Sequence, residues 1–223
     1  IWLKANDMTK ASIDNLIEEL ASDLGPVRPR RVARGTLWVI GGWFAGAAAL
    51  LWLAGPRPDL AQGVMMPPLP LLAFWLIVAL GLAAAWSALR MGLPGVGRDY
   101  SGWRWAGLAA LALPLSALAM ALDDGHAAAA AADPEIGLHC LAQGLLAGAG
   151  VGGALFAWLR NAAPTSPTRA GWVIGIAAGA AGATIVALHC PSNDMVHIAL
   201  WHGLAVVLAA VAGRLLLTPL LRW

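Results

Sequence analysis

The sequence predicts an all-α integral membrane protein: a six-transmembrane-helix bundle with both termini inside, preceded by a short cytoplasmic amphipathic helix. Of its 223 residues, 60% are hydrophobic and only 12% are charged, whereas about 25% of the residues of a soluble domain are charged. The apolar residues also form continuous runs long enough to cross about 30 Å of hydrocarbon. These two observations exclude a soluble globular enzyme, a disordered chain and a protein that binds nucleic acid over a wholly basic surface.

Six apolar runs are predicted to span the membrane as helices, since each approaches the roughly 20 residues that a crossing requires. Together they make residues 36–223 a transmembrane domain, with residues 1–35 as a separate cytoplasmic segment. The predicted spans are Thr36–Ala54, Leu69–Leu89, Trp105–Leu122, Gly137–Leu159, Ala170–Leu188 and Val196–Leu217.

The basic residues predict the orientation of these spans. All 14 Lys and Arg except Arg57 fall on the side that holds the two termini. Because short loops rich in Lys and Arg remain in the cytoplasm, we expect a multi-pass protein of the bacterial inner membrane with both termini cytoplasmic. The outer side carries acidic residues instead, among them Asp59, Asp133 and Asp194.

Glycines recur every four residues within three of the spans. Small residues at this spacing let helix backbones approach closely in lipid. The pattern favours tight packing within one bundle, with a homodimer seam as the alternative, so the oligomeric state stays open. The glycines are Gly42 and Gly46, then Gly144, Gly148 and Gly152, and finally Gly175 and Gly179.

The N-terminal segment Thr9–Leu24 has the apolar spacing of an amphipathic helix, which Gly25 and Pro26 end. Its apolar face is predicted to bind a partner, and its acidic residues are predicted to pair with basic groups of that partner. The apolar residues are Ile13, Leu16, Ile17, Leu20 and Leu24, and the acidic ones are Asp14, Glu18, Glu19 and Asp23.

Four acidic residues on a helix oppose binding to an anionic membrane surface, which attracts Lys and Arg. The helix therefore suits either a separate cytoplasmic protein with a basic surface or the basic inner loops of its own bundle. The four Arg of the following tether, residues 25–35, indicate headgroup anchoring beside the first span. We expect no direct contact with nucleic acid, because the membrane competes for these bases.

A second candidate site lies at the outer side, where two His-Cys pairs stand at the same depth. His139 and Cys140 open the fourth span, while His189 and Cys190 close the fifth. Three interpretations remain open: a Cys140–Cys190 disulfide, a soft divalent metal site for a zinc- or cadmium-like ion, or two inert packed thiols. The candidate metal ligands are Cys140, Cys190, His139, His189, Asp194 and His197; the last two share a helical face.

No sequence motif indicates an enzyme, and no cofactor is required. Haem is not expected, because the His residues lie at the outer edge of the bundle. One alternative function is a membrane redox or metal-handling protein that uses only the outer Cys/His cluster. The acidic N-terminal helix argues against that alternative, since such a protein does not need it.

Three segments resemble the NrsF-type (negative regulator of sigma F) family of membrane-bound anti-sigma factors. They are IDNLIEELASDLGPV at 13–27, RPDL at 57–60 and ALHCPSNDMVHIALWH at 187–202, together with the earlier Cys140. The resemblance implies that the N-terminal segment holds an extracytoplasmic-function (ECF) sigma factor. It also implies that a Cys pair, matched here by Cys140 and Cys190, senses metals or oxidants and releases the sigma factor. The sequence departs from the family pattern at His139 and at the leading IWLKAND.

Overall fold

The computed structural model describes residues 2–22, 31–93, 102, 104, 107–108, 111–123, 133–162 and 164–222. Every regular element within these ranges is a helix, which confirms the all-α prediction. The chain divides into two compact units, Ile1–Arg31 and Val32–Trp223. The division falls inside the predicted tether.

The first unit contains helix α1, Trp2–Ser22. The helix begins earlier than the predicted Thr9, in a stretch that contains neither Gly nor Pro. Four apolar side chains of the predicted face are 52–62% exposed: Ile13, Leu16, Ile17 and Leu20. The acidic side chains of Asp14, Glu18 and Glu19 are exposed as well. Asp23 and Leu24, also predicted to bind the partner, lie outside the described residues.

Among its described residues, the second unit contains five helices that are long and apolar enough to cross a membrane. They correspond to five of the six predicted spans. They are α2 (Val32–Ala54), α4 (Pro68–Met91), α6 (Pro134–Arg160), α7 (Pro167–Val186) and α8 (Met195–Leu220). Between them lie the short helices α3 (Pro58–Ala61) and α5 (Ala112–Asp123).

The third predicted span is only partly described. Helix α5 matches its second half, but Trp105 and several residues after it lie outside the described residues. The apolar part of α5, Pro114–Asp123, is too short to cross a membrane by itself. The six-span topology and its orientation therefore remain predictions.

Local chemistry accounts for the helix boundaries. Helices α4, α6 and α7 each begin with Pro in the first turn, where its missing N–H costs nothing. Helix α7 ends at Val186, whereas its span was predicted to reach Leu188. There the Val186 carbonyl accepts hydrogen bonds from the backbone of both His189 and Cys190, at 3.0 and 2.8 Å. Residues 187–190 are consequently a turn that follows the helix.

Helix α7 is the centre of the bundle and packs against α2, α4, α6 and α8. Its small side chains allow this, and 78% of its apolar stretch is buried. A Cβ on Gly182 would fall on the Gly144 carbonyl of α6, and one on Gly175 would fall on the Ala209 carbonyl of α8. Helix α2 likewise approaches α6 where Gly42 meets Gly150. The structure thus uses the predicted glycine stripes for packing within one chain.

Helix α8 is interrupted by two π-helical turns, Ile198–His202 and Gly213–Leu217. The second lies where α8 meets α7, since a Cβ on Gly213 would fall on the Gly171 carbonyl. The first carries Trp201 and His202 into the buried end of the bundle. Single π turns within α-helices are often found at functional sites.

Candidate metal and redox centre

Two Cys and two His meet at one end of the bundle, contributed by three neighbouring elements. Cys140 lies in the second turn of α6, and Cys190 lies in the turn that follows α7. His197 and His202 come from the first turns of α8. The start of α8 is fixed by Asp194, whose carboxylate accepts hydrogen bonds from the backbone of Val196 (2.7 Å) and His197 (3.2 Å). We call Cys140, Cys190, His197 and His202 the CCHH cluster.

The four side chains of the CCHH cluster are buried, and their ligand atoms all lie within 4.8 Å of one another. The two Sγ atoms are 3.4 Å apart, and both Cys are free thiols. Cys190 Sγ is also 3.4 Å from His197 Nε2. The two imidazole rings stand edge to face, with their centres 5.6 Å apart.

The π-helical turn of α8 brings the two His together. Five residues along an α-helix rotate a side chain by about 500°, which would leave His197 and His202 about 140° apart. The wider turn closes instead with a hydrogen bond from the backbone N–H of Gly203 to the carbonyl of Ile198, five residues earlier. Residues five apart then lie nearly above one another. Both imidazoles consequently face the two sulfurs.

Hydrogen bonding favours the thiolate form of Cys190. Its pKa is lowered chiefly because the Cys140 thiol donates a hydrogen bond to its sulfur, and His197 and His202 act in the same direction. Burial opposes this effect. In the reduced pair Cys190 therefore has the greater thiolate character, and the thiolate is the form in which a Cys attacks or binds a metal.

The CCHH cluster has the composition and spacing of a closed tetrahedral metal site. Thiolate and imidazole ligands at 2.0–2.3 Å from a central zinc-like ion lie about 3.3–3.8 Å from each other. The 3.4 Å separations of Cys190 from Cys140 and from His197 fit that range. Nε2 of His202 is buried and has no hydrogen-bond partner among the described residues. A buried polar atom that is left unsatisfied in this way is costly unless a ligand satisfies it.

The same geometry also permits thiol oxidation. The Cys140 and Cys190 sulfurs are in contact, so the two thiols can be joined by losing two protons and two electrons to an external oxidant. The third sequence interpretation, two inert thiols packed in the core, does not explain why two imidazoles converge on them.

Three residues in the predicted ligand set lie outside the CCHH cluster. His139 immediately precedes Cys140 on α6 and is exposed. His189 contacts the main-chain carbonyl of Gly55 through Nδ1 at 2.8 Å, and Asp194 caps α8. Sequence reasoning missed His202, because regular α-helical spacing separates it from His197. The one signal for His202 was its place in the ALHCPSNDMVHIALWH segment.

Comparison with known proteins identifies the family. Residues 20–223 match the family model described as NrsF, negative regulator of sigma F. The chain is 33% identical over 234 aligned positions to the anti-sigma-F factor NrsF of Caulobacter vibrioides, covering 94% of this chain and 99% of that protein. It is 28% identical over 222 positions to a probable anti-sigma-F factor NrsF of Azospira oryzae, with the same coverage of both chains. No solved structure matches the chain.

The matches cover the five long apolar helices and the CCHH cluster, so they concern the whole second unit. They also confirm the resemblance drawn from the sequence segments. Relatives of this kind are regulators of a sigma factor, and their role is not enzymatic. The chain therefore belongs to the NrsF family of anti-sigma factors.

Proposed function

We propose that the protein is a bacterial inner-membrane anti-sigma factor that holds an ECF sigma factor through α1. The observation that carries this proposal is the surface of α1. Four large apolar side chains on one face are 52–62% exposed, beside exposed carboxylates at Asp14, Glu18 and Glu19. An amphipathic helix of this kind is a common way to fill an apolar groove of a partner. The carboxylates suit a partner whose surface is basic because it binds DNA.

The proposed orientation places α1 in the cytoplasm, where a sigma factor works. It is supported by the distribution of charge in the sequence, since 13 of the 14 Lys and Arg lie on the side of the termini. The CCHH cluster would then lie at the opposite, outer end of the bundle. A sensor there reports on the envelope, while α1 acts inside.

The CCHH cluster is the proposed sensor. A soft divalent ion of the zinc or cadmium type would be held by two thiolates and two imidazoles, with no position left for water. An oxidant would join Cys140 to Cys190 instead. Two conformations are involved, one that holds the sigma factor and one that releases it. Metal binding favours release only if the releasing conformation binds the ion more tightly, and oxidation favours release only if that conformation accommodates the disulfide better.

Sequestration is tested by removing the apolar face of α1. Leu16→Asp with Leu20→Asp should leave the protein in the membrane but abolish co-purification of the sigma factor from cells. The matched control is Asn15→Asp with Ser22→Asp, which adds the same charge on the opposite face of α1. Undiminished co-purification with the Leu16 and Leu20 variant would overturn the proposed role of α1.

Sensing is tested separately at the two thiols. Cys140→Ser with Cys190→Ser should still repress the sigma factor but should no longer release it in cells exposed to Cd²⁺ or diamide. A normal response of this variant would exclude the CCHH cluster as the sensor. It would leave the anti-sigma role itself intact.

A further inference from the structure

The outer end of α2 is bonded to the turn that carries Cys190. The segment after α2 starts at Gly55, whose φ of +79° turns the chain. The Gly55 carbonyl accepts a hydrogen bond from Nδ1 of His189 at 2.8 Å, so that nitrogen carries the proton. Two residues later, the backbone N–H of Arg57 donates to the Leu188 carbonyl at 3.0 Å. These two bonds join residues 55–57 to the residues just before Cys190.

The side chain of Arg57 reaches across the same turn. It is the one basic side chain that the sequence places on the outer side, yet it is only 2% exposed. Its guanidinium forms a two-pronged ion pair with Asp59 at 2.6 and 2.7 Å. It also donates to Asn193 Oδ1 at 2.8 Å and contacts the carbonyls of Ala187 and Pro191 at 3.5 Å.

One guanidinium therefore touches the chain on both sides of Cys190. A buried cation must keep its partners, because leaving a charge unpaired away from water is strongly unfavourable. The planar fork of Arg also fixes the direction of each bond, which a Lys ammonium does not. The turn 187–193 and the segment 55–59 are expected to move together.

Apolar contacts extend this connection along α2. Ala47 and Leu50 of α2 pack in one buried cluster with Ile185 and Val186 at the end of α7. Helix α2 is also the element that follows α1 in the chain. A change at Cys190 can thus reach α2 through direct hydrogen bonds and through packed side chains.

We propose that Arg57 is a positioning residue: it holds the Cys190 turn against the other members of the CCHH cluster and links that turn to α2. This inference rests on the proposed function, because it supplies the sensor with a route toward α2, the helix that follows the cytoplasmic segment in the chain. Arg57 itself binds neither the ion nor the sigma factor.

The test measures how fast diamide joins Cys140 to Cys190 in the full chain in membranes. The two thiols give up two hydrogens and form the disulfide, while diamide takes up both and becomes the hydrazine; maleimide labelling then counts the remaining thiols. Arg57→Gln should slow this reaction about tenfold. Arg160→Gln, at the opposite end of α6, is the control and should react at the wild-type rate.

A second variant guards against misfolding of Arg57→Gln. Asn193→Ala keeps the ion pair between Arg57 and Asp59 and removes only the hydrogen bond from Arg57 to Asn193 in the Cys190 turn. Ser192→Ala, at the adjacent position, is its control. Asn193→Ala should slow the reaction several-fold, and the double variant with Arg57→Gln should be no slower than Arg57→Gln alone. Effects that multiply would mean that the two residues act independently, which would overturn the proposal.

Hydrogen exchange checks the link to α2. Disulfide formation in the wild-type protein should change exchange at residues 50–54, and Asn193→Ala should reduce that change at least threefold. Equal oxidation rates in all variants, a wild-type pair that does not oxidise, or an unchanged exchange response would each overturn the role of Arg57. None of these readouts involves the sigma factor. The proposed function would instead fail in the release experiment, if the wild-type protein kept its sigma factor after exposure to Cd²⁺ or diamide.

Discussion

The structure predicts that His202, and not His139 or His189, contributes to metal binding. We expect His202→Ala to weaken Cd²⁺ binding about 100-fold. A closed four-ligand site of this kind is worth about 10–16 kcal/mol for zinc, so an equal share for one ligand is roughly 3 kcal/mol. At about 1.4 kcal/mol per tenfold change in the dissociation constant, this share corresponds to about two orders of magnitude. A water molecule that enters the vacant position would reduce the loss somewhat.

The assay is competition for Cd²⁺ between a chelator and the purified full-length protein in detergent. His139→Ala is the matched control, because His139 is exposed and should leave the dissociation constant within about twofold of wild type. His189→Ala should have a smaller effect than His202→Ala, since its ring contacts a main-chain carbonyl. The reasoning is refuted if His202→Ala binds Cd²⁺ as tightly as wild type, or if His139→Ala loses as much affinity as His202→Ala.

Three further predictions concern stability and partner binding. Gly182→Val should lower the free energy of unfolding by about 3 kcal/mol, because a Cβ there meets the backbone of α6. Gly153→Val should have little effect, because no described residue lies within 4 Å of the position that its Cβ would take; thermal unfolding in detergent compares the two variants. Trp158→Phe should cost about 1 kcal/mol in the same assay, since it removes a 3.0 Å hydrogen bond from Nε1 to a main-chain carbonyl of α4. Leu16→Ala with Leu20→Ala should weaken sigma-factor binding about 30-fold in titrations. The Leu16 and Leu20 residues are 54% and 62% exposed, and burying that surface in a partner is worth about 1 kcal/mol for each. Unchanged affinity would show that these side chains stay outside the interface.

Five of the predicted spans are helices long enough to cross a membrane, because both length and apolarity are local properties. The same reasoning did not place the end of α7. Leu188 is as apolar as the residues before it, but the backbone of His189 and Cys190 bonds back to Val186 and closes a turn. Whether a helix continues past such a point depends on hydrogen bonds that hydropathy does not report.

The glycine stripes were correctly expected to bring helices close together, but their partners could not be assigned from spacing. Gly144 and Gly148 meet α7, and Gly175 and Gly179 meet α8. The spacing shows which face of a helix carries small residues and can approach another helix closely. Which helix packs there depends on the arrangement of the helices around α7.

The candidate site was predicted only in part. Cys140, Cys190 and His197 were grouped in advance, because Cys140 begins one span, Cys190 follows the end of the next and His197 begins the one after. The structure brings these three side chains together. His139 was included because it adjoins Cys140 in the sequence, although adjacent residues on a helix point about 100° apart. In the sequence Arg57 is notable as the exception to the charge distribution and as the first residue of RPDL, but its burial beside Cys190 was not expected.

The sequence by itself determined that this chain has apolar spans long enough to cross a membrane, that it resembles the NrsF family, and that its N-terminal segment is acidic and amphipathic. Partition between water and lipid, and the spacing of one helical face, depend on local composition alone. Only the tertiary structure decided that His202 completes the CCHH cluster and that Arg57 joins the Cys190 turn to α2. The first depends on a π-helical turn, which shifts the helical phase, and the second depends on two loops 130 residues apart in the chain that meet at one end of the bundle.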